Sequence, residues 1–261
     1  MKSYAASICM VLATIPFLIW VPRAVADPPP SPDSDQTSPV PGSTAEQPES
    51  RPESPFAASG SFTFASRYLF QGNDYSEGKP VFNPQADVSA GPLSARLWVN
   101  HDLNQGVSNE FDLSLLHEWA IGKSSLTTGY TYLWYPHREG WAPSQELYLE
   151  FSREGVLNPA LSVHYDFDAG EGTYSTFGLS HSVESRAGTV SLGANLFYQG
   201  HYYGASGFPS TEWNLHFEKS FSRMKVTPSV SRFVTWPNGD FRDENSVKSA
   251  WVFSFQVARA F

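Results

Sequence analysis

The 261-residue chain has a single cysteine, Cys9, and it lies in the first hydrophobic segment. No internal disulfide can form, and a mature chain without that segment has neither thiol catalysis nor cysteine-ligated zinc open to it. Charge is scarce at 16%, and basic charge scarcer, with 17 Lys and Arg against 26 Asp and Glu and a formal charge of -9. A nucleic-acid partner needs a basic surface, so that class is excluded. Beyond the first segment no stretch has the roughly 18 consecutive apolar residues of a membrane helix, and no segment shows a helical period. What the chain does have is aromatic side chains, 15% of residues within 41% hydrophobic overall, enough for one domain or two and too apolar for a mostly disordered protein.

Residues 1–26 read as a cleaved signal peptide. Met1-Lys2 is a short positive start, Ala5 to Val21 is apolar, and Ala24-Val25-Ala26 has the small-x-small form of a cleavage site. Pro16 and that site argue against an uncleaved anchor. Cys9 is far from the cut, where a lipidated cysteine would stand. Residues 27–55 carry nine prolines and six acids against Arg51, a composition expected of a disordered, Pro-rich acidic tail acting as a linker.

From residue 56 to residue 261 the period is two. Phe62 and Phe64 continue into Tyr68 and Phe70 against Ser61, Thr63 and Arg67, and Phe111, Leu113, Leu115 and Trp119 alternate with Glu110, Asp112, Ser114 and Glu118. The same pattern recurs through Leu126 to Trp134, Leu147 to Phe151, Leu161 to Phe167, Val190 to Tyr198, Trp213 to Phe217 and Trp251 to Phe261, with weaker strands at Phe82–Ala90, Leu93–Asn100 and Lys225–Thr235. Brief turns such as Gly91-Pro92 and Gly122-Lys123-Ser124 alternate with longer polar loops such as Gln71 to Val81 and Pro136 to Ser144; residues 154–159 are the exception. An even set of about 12 strands with alternating connections predicts an all-β fold, a transmembrane antiparallel up-and-down β-barrel of the Gram-negative outer membrane. A secreted β-sandwich also alternates, but it explains neither the loop lengths nor the Trp and Tyr near strand ends. Phe261 behind an alternating apolar face fits the signal read by the barrel-assembly machinery, although Arg259 interrupts that face.

Ser66-Arg67-Tyr68-Leu69-Phe70-Gln71-Gly72, followed by Gly78-Lys79-Pro80 and a strand with Asp87, resembles the opening of the TorF-like family of outer-membrane porins. Trp98-Val99-Asn100, Glu110-Phe111-Asp112, Gly129-Tyr130, Tyr135-Pro136 and Glu146 extend the resemblance to about Val183; Gln71 stands where much of the family has Arg. The resemblance implies a small porin barrel and no particular substrate.

Polar faces of the strands predict a pore lining of Arg67, Asp87, Arg96, Asp112, Glu118, Glu146, Glu150, His164, Asp166, Glu212, Asn214, His216, Glu218 and Lys248, with Glu110 a further inward acid. So acidic an interior would be costly if dry, which predicts a water-filled lumen. No enzyme is expected: none of the seven histidines is followed by Ser two positions on, and His181 and Ser182 are adjacent and point to opposite faces. Asp166, Asp168 and Glu171 could in principle hold calcium, but a solvated loop explains them better, so neither metal nor cofactor is expected. Tyr198, His201, Tyr202 and Tyr203 are expected to belong to an interfacial girdle running into a loop. The reading is a monomeric or oligomeric porin-like channel for passive passage of small hydrophilic solutes or cations, with outer-membrane lipid as its surroundings. The alternative is a non-conducting structural or surface-binding barrel.

Overall fold

The computed structural model describes residues 56–70, 73–236, 239–242 and 249–261. The expected signal segment 1–26, the expected tail 27–55 and Lys248 lie outside the described residues. Twelve strands run β1 Phe56–Ala65, β2 Val81–Ala90, β3 Leu93–Asp102, β4 Val107–Ile121, β5 Ser124–Trp134, β6 Ser144–Arg153, β7 Ala160–Asp166, β8 Gly172–Ser185, β9 Gly188–Tyr202, β10 Ser210–Phe221, β11 Met224–Thr235 and β12 Ala250–Ala260. Each pairs antiparallel with its chain neighbours, and β12 pairs with β1 from Ala65↔Ser254 to Ser59↔Ala260, closing the barrel. The sheet's thirteenth strand, Ala205–Gly207, is a short piece folded back on β9.

Closure follows from the solvent the outer surface is built for. In hydrocarbon each unsatisfied backbone N–H or C=O costs several kcal/mol, so an open edge is not viable. The outward faces carry exposed Phe62, Leu97, Leu113, Leu115, Leu149, Leu192, Leu215 and Phe253, a belt that only lipid can cover. Aromatic side chains thicken it at the rims. Trp134, Tyr198, Trp213 and Trp251 stand out at the rim of the long loops, and Trp119 at the rim of the short turns. At the first of these rims the Arg232 guanidinium lies 5.4 Å from the centroid of the Trp251 ring. Arg259 does the same over Phe261 at the other rim, 5.3 Å away, which is how a cation is tolerated on the apolar face.

Pro84 and Pro228 lie within strands yet do not break them. Neither has an N–H to give, and the β2–β3 ladder has a gap between Phe82↔His101 and Gln85↔Trp98, where Pro84 faces Val99. The Asn83 side chain fills that gap by donating from Nδ2 to the Val99 carbonyl at 3.3 Å. A β-bulge places Asn109 as an extra residue opposite Asn100 and His101. Asn83, Asn100 and Asn109 then form a side-chain ladder inside the barrel, with bonds of 2.8 and 2.7 Å.

One sequence expectation is corrected here. The first strand was expected to continue through Phe70, but β1 ends at Ala65. Ser66 turns the chain inward while its Oγ accepts from Phe253 N at 3.0 Å and its N–H donates to the Phe253 carbonyl at 2.8 Å. Tyr68 and Phe70 therefore lie buried within the lumen, in a segment carrying a two-residue hairpin of Leu69–Phe70 with Asn73–Asp74, and do not face lipid. The alternating ring sequence also hid a fit between strands: Gly129 on β5 leaves space for the Tyr148 ring of β6, and a Cβ there would stand 2.5 Å from that ring.

Candidate functional site in the barrel lumen

Alternation aims one residue in two at the barrel axis, and these inward residues divide the lumen into two halves. In the half beside the long loops they are large. Leu133, Phe197, Phe233 and Val81 face inward and are buried, together with Tyr174 and Tyr202. The segment after β1 comes in from above, and Phe70 packs edge-on against Tyr174 of β8 at 5.4 Å and 89°. β8 lies five strands from β1 one way round the barrel and seven the other, so this contact crosses the lumen. On the way Tyr68 packs against Trp98 of β3 at 5.8 Å.

Buried carboxylates sit among these rings. Glu146 is 2% exposed; it accepts from Tyr174 Oη at 2.9 Å and Tyr202 Oη at 3.4 Å, and its Oε2 is 3.4 Å from His164 Nδ1. The imidazole of His164 is stacked between Tyr148 at 5.0 Å and Tyr174 at 4.2 Å. Asp166 accepts from Ser144 Oγ at 2.7 Å, from Tyr203 Oη at 3.1 Å and from its loop backbone at Asp168. Glu212 accepts from Asn195 at 2.9 Å. Glu110 is wholly buried beside the Tyr68 hydroxyl, without a well-formed hydrogen bond at either oxygen, and Arg138 acts on it electrostatically.

In the half beside the short turns many inward residues are small, and most of the charged ones keep partial exposure. Ser125 and Ser152 bond across strands at 2.9 Å, as do Ser182 and Ser191 at 2.7 Å. Asp87 accepts from Arg96 Nε at 2.7 Å and from Gln85 at 2.7 Å. Lys225 pairs with Glu218 at 3.0 Å, and Glu118 opens to solvent at the rim. Glu150, His216 and Asn214 are half-buried, Asn214 resting against Gly193.

The predicted lining is thus split. Glu146, His164, Asp166, Asp112 and Glu212 are brought together in the packed half, whereas Asp87, Arg96, Glu118, Glu150, Asn214, His216 and Glu218 line the other. Arg67 is not an inward strand residue: it lies beyond the end of β1 and pairs with Asp74 of the small hairpin at 3.1 Å. Glu110, Glu146 and Asp166 are buried, and tyrosine and serine hydroxyls take the place of hydration at the latter two. Tyr202 leaves the expected girdle and enters the lumen, while Tyr198 stays outside.

Sequence reasoning missed Phe70, Tyr174, Arg138, Trp141 and Lys225. A signal was available: Leu133, Phe197 and Phe233 are apolar residues on the polar face, all near one end of their strands. The reading of histidines by spacing also missed a pair made by register, His101 Nδ1 to Ser108 Oγ at 3.1 Å across β3 and β4. Among the described residues no carboxylate bonds the other nitrogen of that imidazole, so the pair lacks the third group that orients a catalytic base. His181 instead meets the Val156 carbonyl at 2.7 Å, turned away from Ser182.

The sequence matches no family model and no curated protein. The structure is similar to that of the COG4313 outer membrane channel from Pseudomonas putida F1, with a TM-score of 0.52 at 9% identity over 78% of this chain and 95% of that one. A NanC porin structure aligns with a TM-score of 0.47 at 10% identity, covering 78% of this chain and 98% of the porin. With its closed sheet and lipid-facing belt, the chain has the fold of an outer-membrane β-barrel.

Proposed function

We propose that the chain is a porin-like outer-membrane channel, akin to the TorF-like family, that passes small hydrophilic solutes or cations passively and carries out no chemistry on them. The observation that supports this reading is the inward charge: Asp87, Glu118, Glu150 and Glu218 stand in the half of a closed barrel beside the short turns, against Arg96 and Lys225. Confronted at close range, such charges concentrate cations and repel anions. In this reading residues 1–26 are cleaved, residues 27–55 are a disordered acidic tail, the short turns face the periplasm, and the C-terminal strand ending in Phe261 presents the barrel to the assembly machinery. In a planar bilayer under a potassium chloride gradient, the refolded protein should give discrete currents with a cation-side reversal potential. An anion-selective current would show that the inward acids do not control the path.

A second reading is a non-conducting structural or surface-binding barrel. The contact of Phe70 with Tyr174 across the lumen favours it. Absence of current in the wild-type protein and in a variant lacking residues 69–78 would establish this alternative.

A further inference from the structure

Among the rings of the packed half is a cage that holds a cation of the chain's own. Arg138, in the loop between β5 and β6, places its guanidinium carbon 4.6 Å from the Trp141 ring centroid and 5.9 Å from that of Tyr75. These two rings meet edge to face at 6.0 Å and 86°, and Tyr135 braces Trp141 at 5.2 Å and 70°. Two aromatic faces set at a right angle suit a flat cation better than a neutral group. The carboxyl of Glu110, fully buried on β4, feels the Arg138 charge, and neither of its oxygens makes a well-formed hydrogen bond. Arg138 leaves Nε and Nη2 buried and unbonded as well.

A guanidinium and a carboxylate that act on each other normally close a two-bonded fork. Here the loop holds them apart. Arg138 is tied into a tight turn in which Trp141 N donates to its carbonyl at 3.3 Å, between the positive φ values of His137 (63°) and Gly140 (81°). The side chain reaches the two rings and makes no ion pair with Glu110. We infer that the cage of Tyr75, Trp141 and Glu110 is a binding site at the channel mouth for solutes bearing a guanidinium group, with Arg138 as a tethered occupant that such a solute displaces. A free guanidinium has no tether and can bond both oxygens of Glu110 while keeping the aromatic faces. This site rests on the channel reading for its role as an entrance, but its binding is measured without current.

The test uses the refolded full barrel in detergent, titrated by calorimetry with methylguanidinium and with its neutral isostere methylurea. Removing the occupant should help the ligand, because a site filled by Arg138 nine-tenths of the time binds about tenfold more weakly than an empty one. Arg138→Ala is therefore expected to bind methylguanidinium at least about tenfold more tightly than wild type and methylurea not at all. Adding Glu110→Gln to Arg138→Ala should abolish the gain. Arg138→Gln, which keeps more of the bulk, serves where Arg138→Ala fails to show the heat-modifiable migration of a folded barrel, and it should show the same gain. Equal affinity in wild type and in the folded Arg138 variant, or equal response to methylurea, overturns the site. Binding without current in any variant leaves the site standing and removes the channel reading; current with no gain in binding does the reverse.

Discussion

The two halves of the lumen are made by the same twelve strands and differ only in what meets at the axis. Strand number fixes the width available, so filling is decided locally by side-chain size and by loops that fold in. Beside the long loops, tyrosine and phenylalanine from opposite walls meet around Phe70 and enclose Glu110, Glu146 and Asp166. Beside the short turns, serine pairs and partly exposed ion pairs take the place of the rings. The lesson is that a polar inward face does not by itself make a pore: carboxylates can be packed dry when hydroxyls replace their water.

The comparison presupposes a barrel, and the change that removes both halves at once is loss of its closing strand. Deleting residues 253–261 takes away most of β12 and exposes the ladder edges of β1 and β11 to lipid. No heat-modifiable species should remain in an outer-membrane fraction. Normal migration of this truncation would remove the barrel itself.

The next largest effect should come from the packed half. Phe70→Ala removes a ring that is 1% exposed and braced edge-on by Tyr174, a truncation of the kind that costs about 3–5 kcal/mol. The urea midpoint of refolded protein should fall accordingly, and single-channel conductance should rise as the ring leaves the axis. A neutral effect on both would mean that the first loop does not pack across the lumen.

The belt and the barrel were legible because lipid and backbone closure impose a simple rule, alternation, that survives in Phe111, Leu113 and Leu115 or in Trp213 and Leu215. The packed half was not legible for the same reason. Alternation continues past Ala65 through Tyr68 and Phe70, although the backbone has already left the sheet at Ser66, and period alone does not distinguish a strand from a segment folded inside it. The contacts of Arg138, Trp141 and Tyr75 join loops distant in sequence, and no spacing encodes them. Arg96 with Asp87 was within reach, since facing strands put them on one face; Lys225 with Glu218 lay on either side of a tight turn and was overlooked.

Glu146 sharpens the difference between the halves, since tyrosine hydroxyls from two other strands take the place of its water. Glu146→Ala leaves the hydroxyls of Tyr174 and Tyr202 without their acceptor and should cost about 3 kcal/mol. Glu146→Gln retains an acceptor oxygen and should cost about 1 kcal/mol or less. Urea titration of both variants distinguishes the two outcomes. If Ala and Gln behave alike, the site is wet and the contrast with the other half disappears.

The smallest effect is expected at Lys225. Its amino group lies 3.0 Å from Glu218, with side-chain exposures of 18% and 31%, so both partners keep access to water. A pair of this kind gives under about 1 kcal/mol, because solvent screens the attraction and ordering two long side chains opposes it. Lys225→Gln also leaves no dry charge behind, since Glu218 can be hydrated where it stands, in contrast to the groups stranded by Glu146→Ala. Stability should therefore change by less than about 1 kcal/mol, while the reversal potential in a salt gradient moves further to the cation side as an inward base is lost. A loss as large as that of Glu146→Ala would mean that the half beside the short turns is as dry as the other, and the division of the lumen would have to be redrawn.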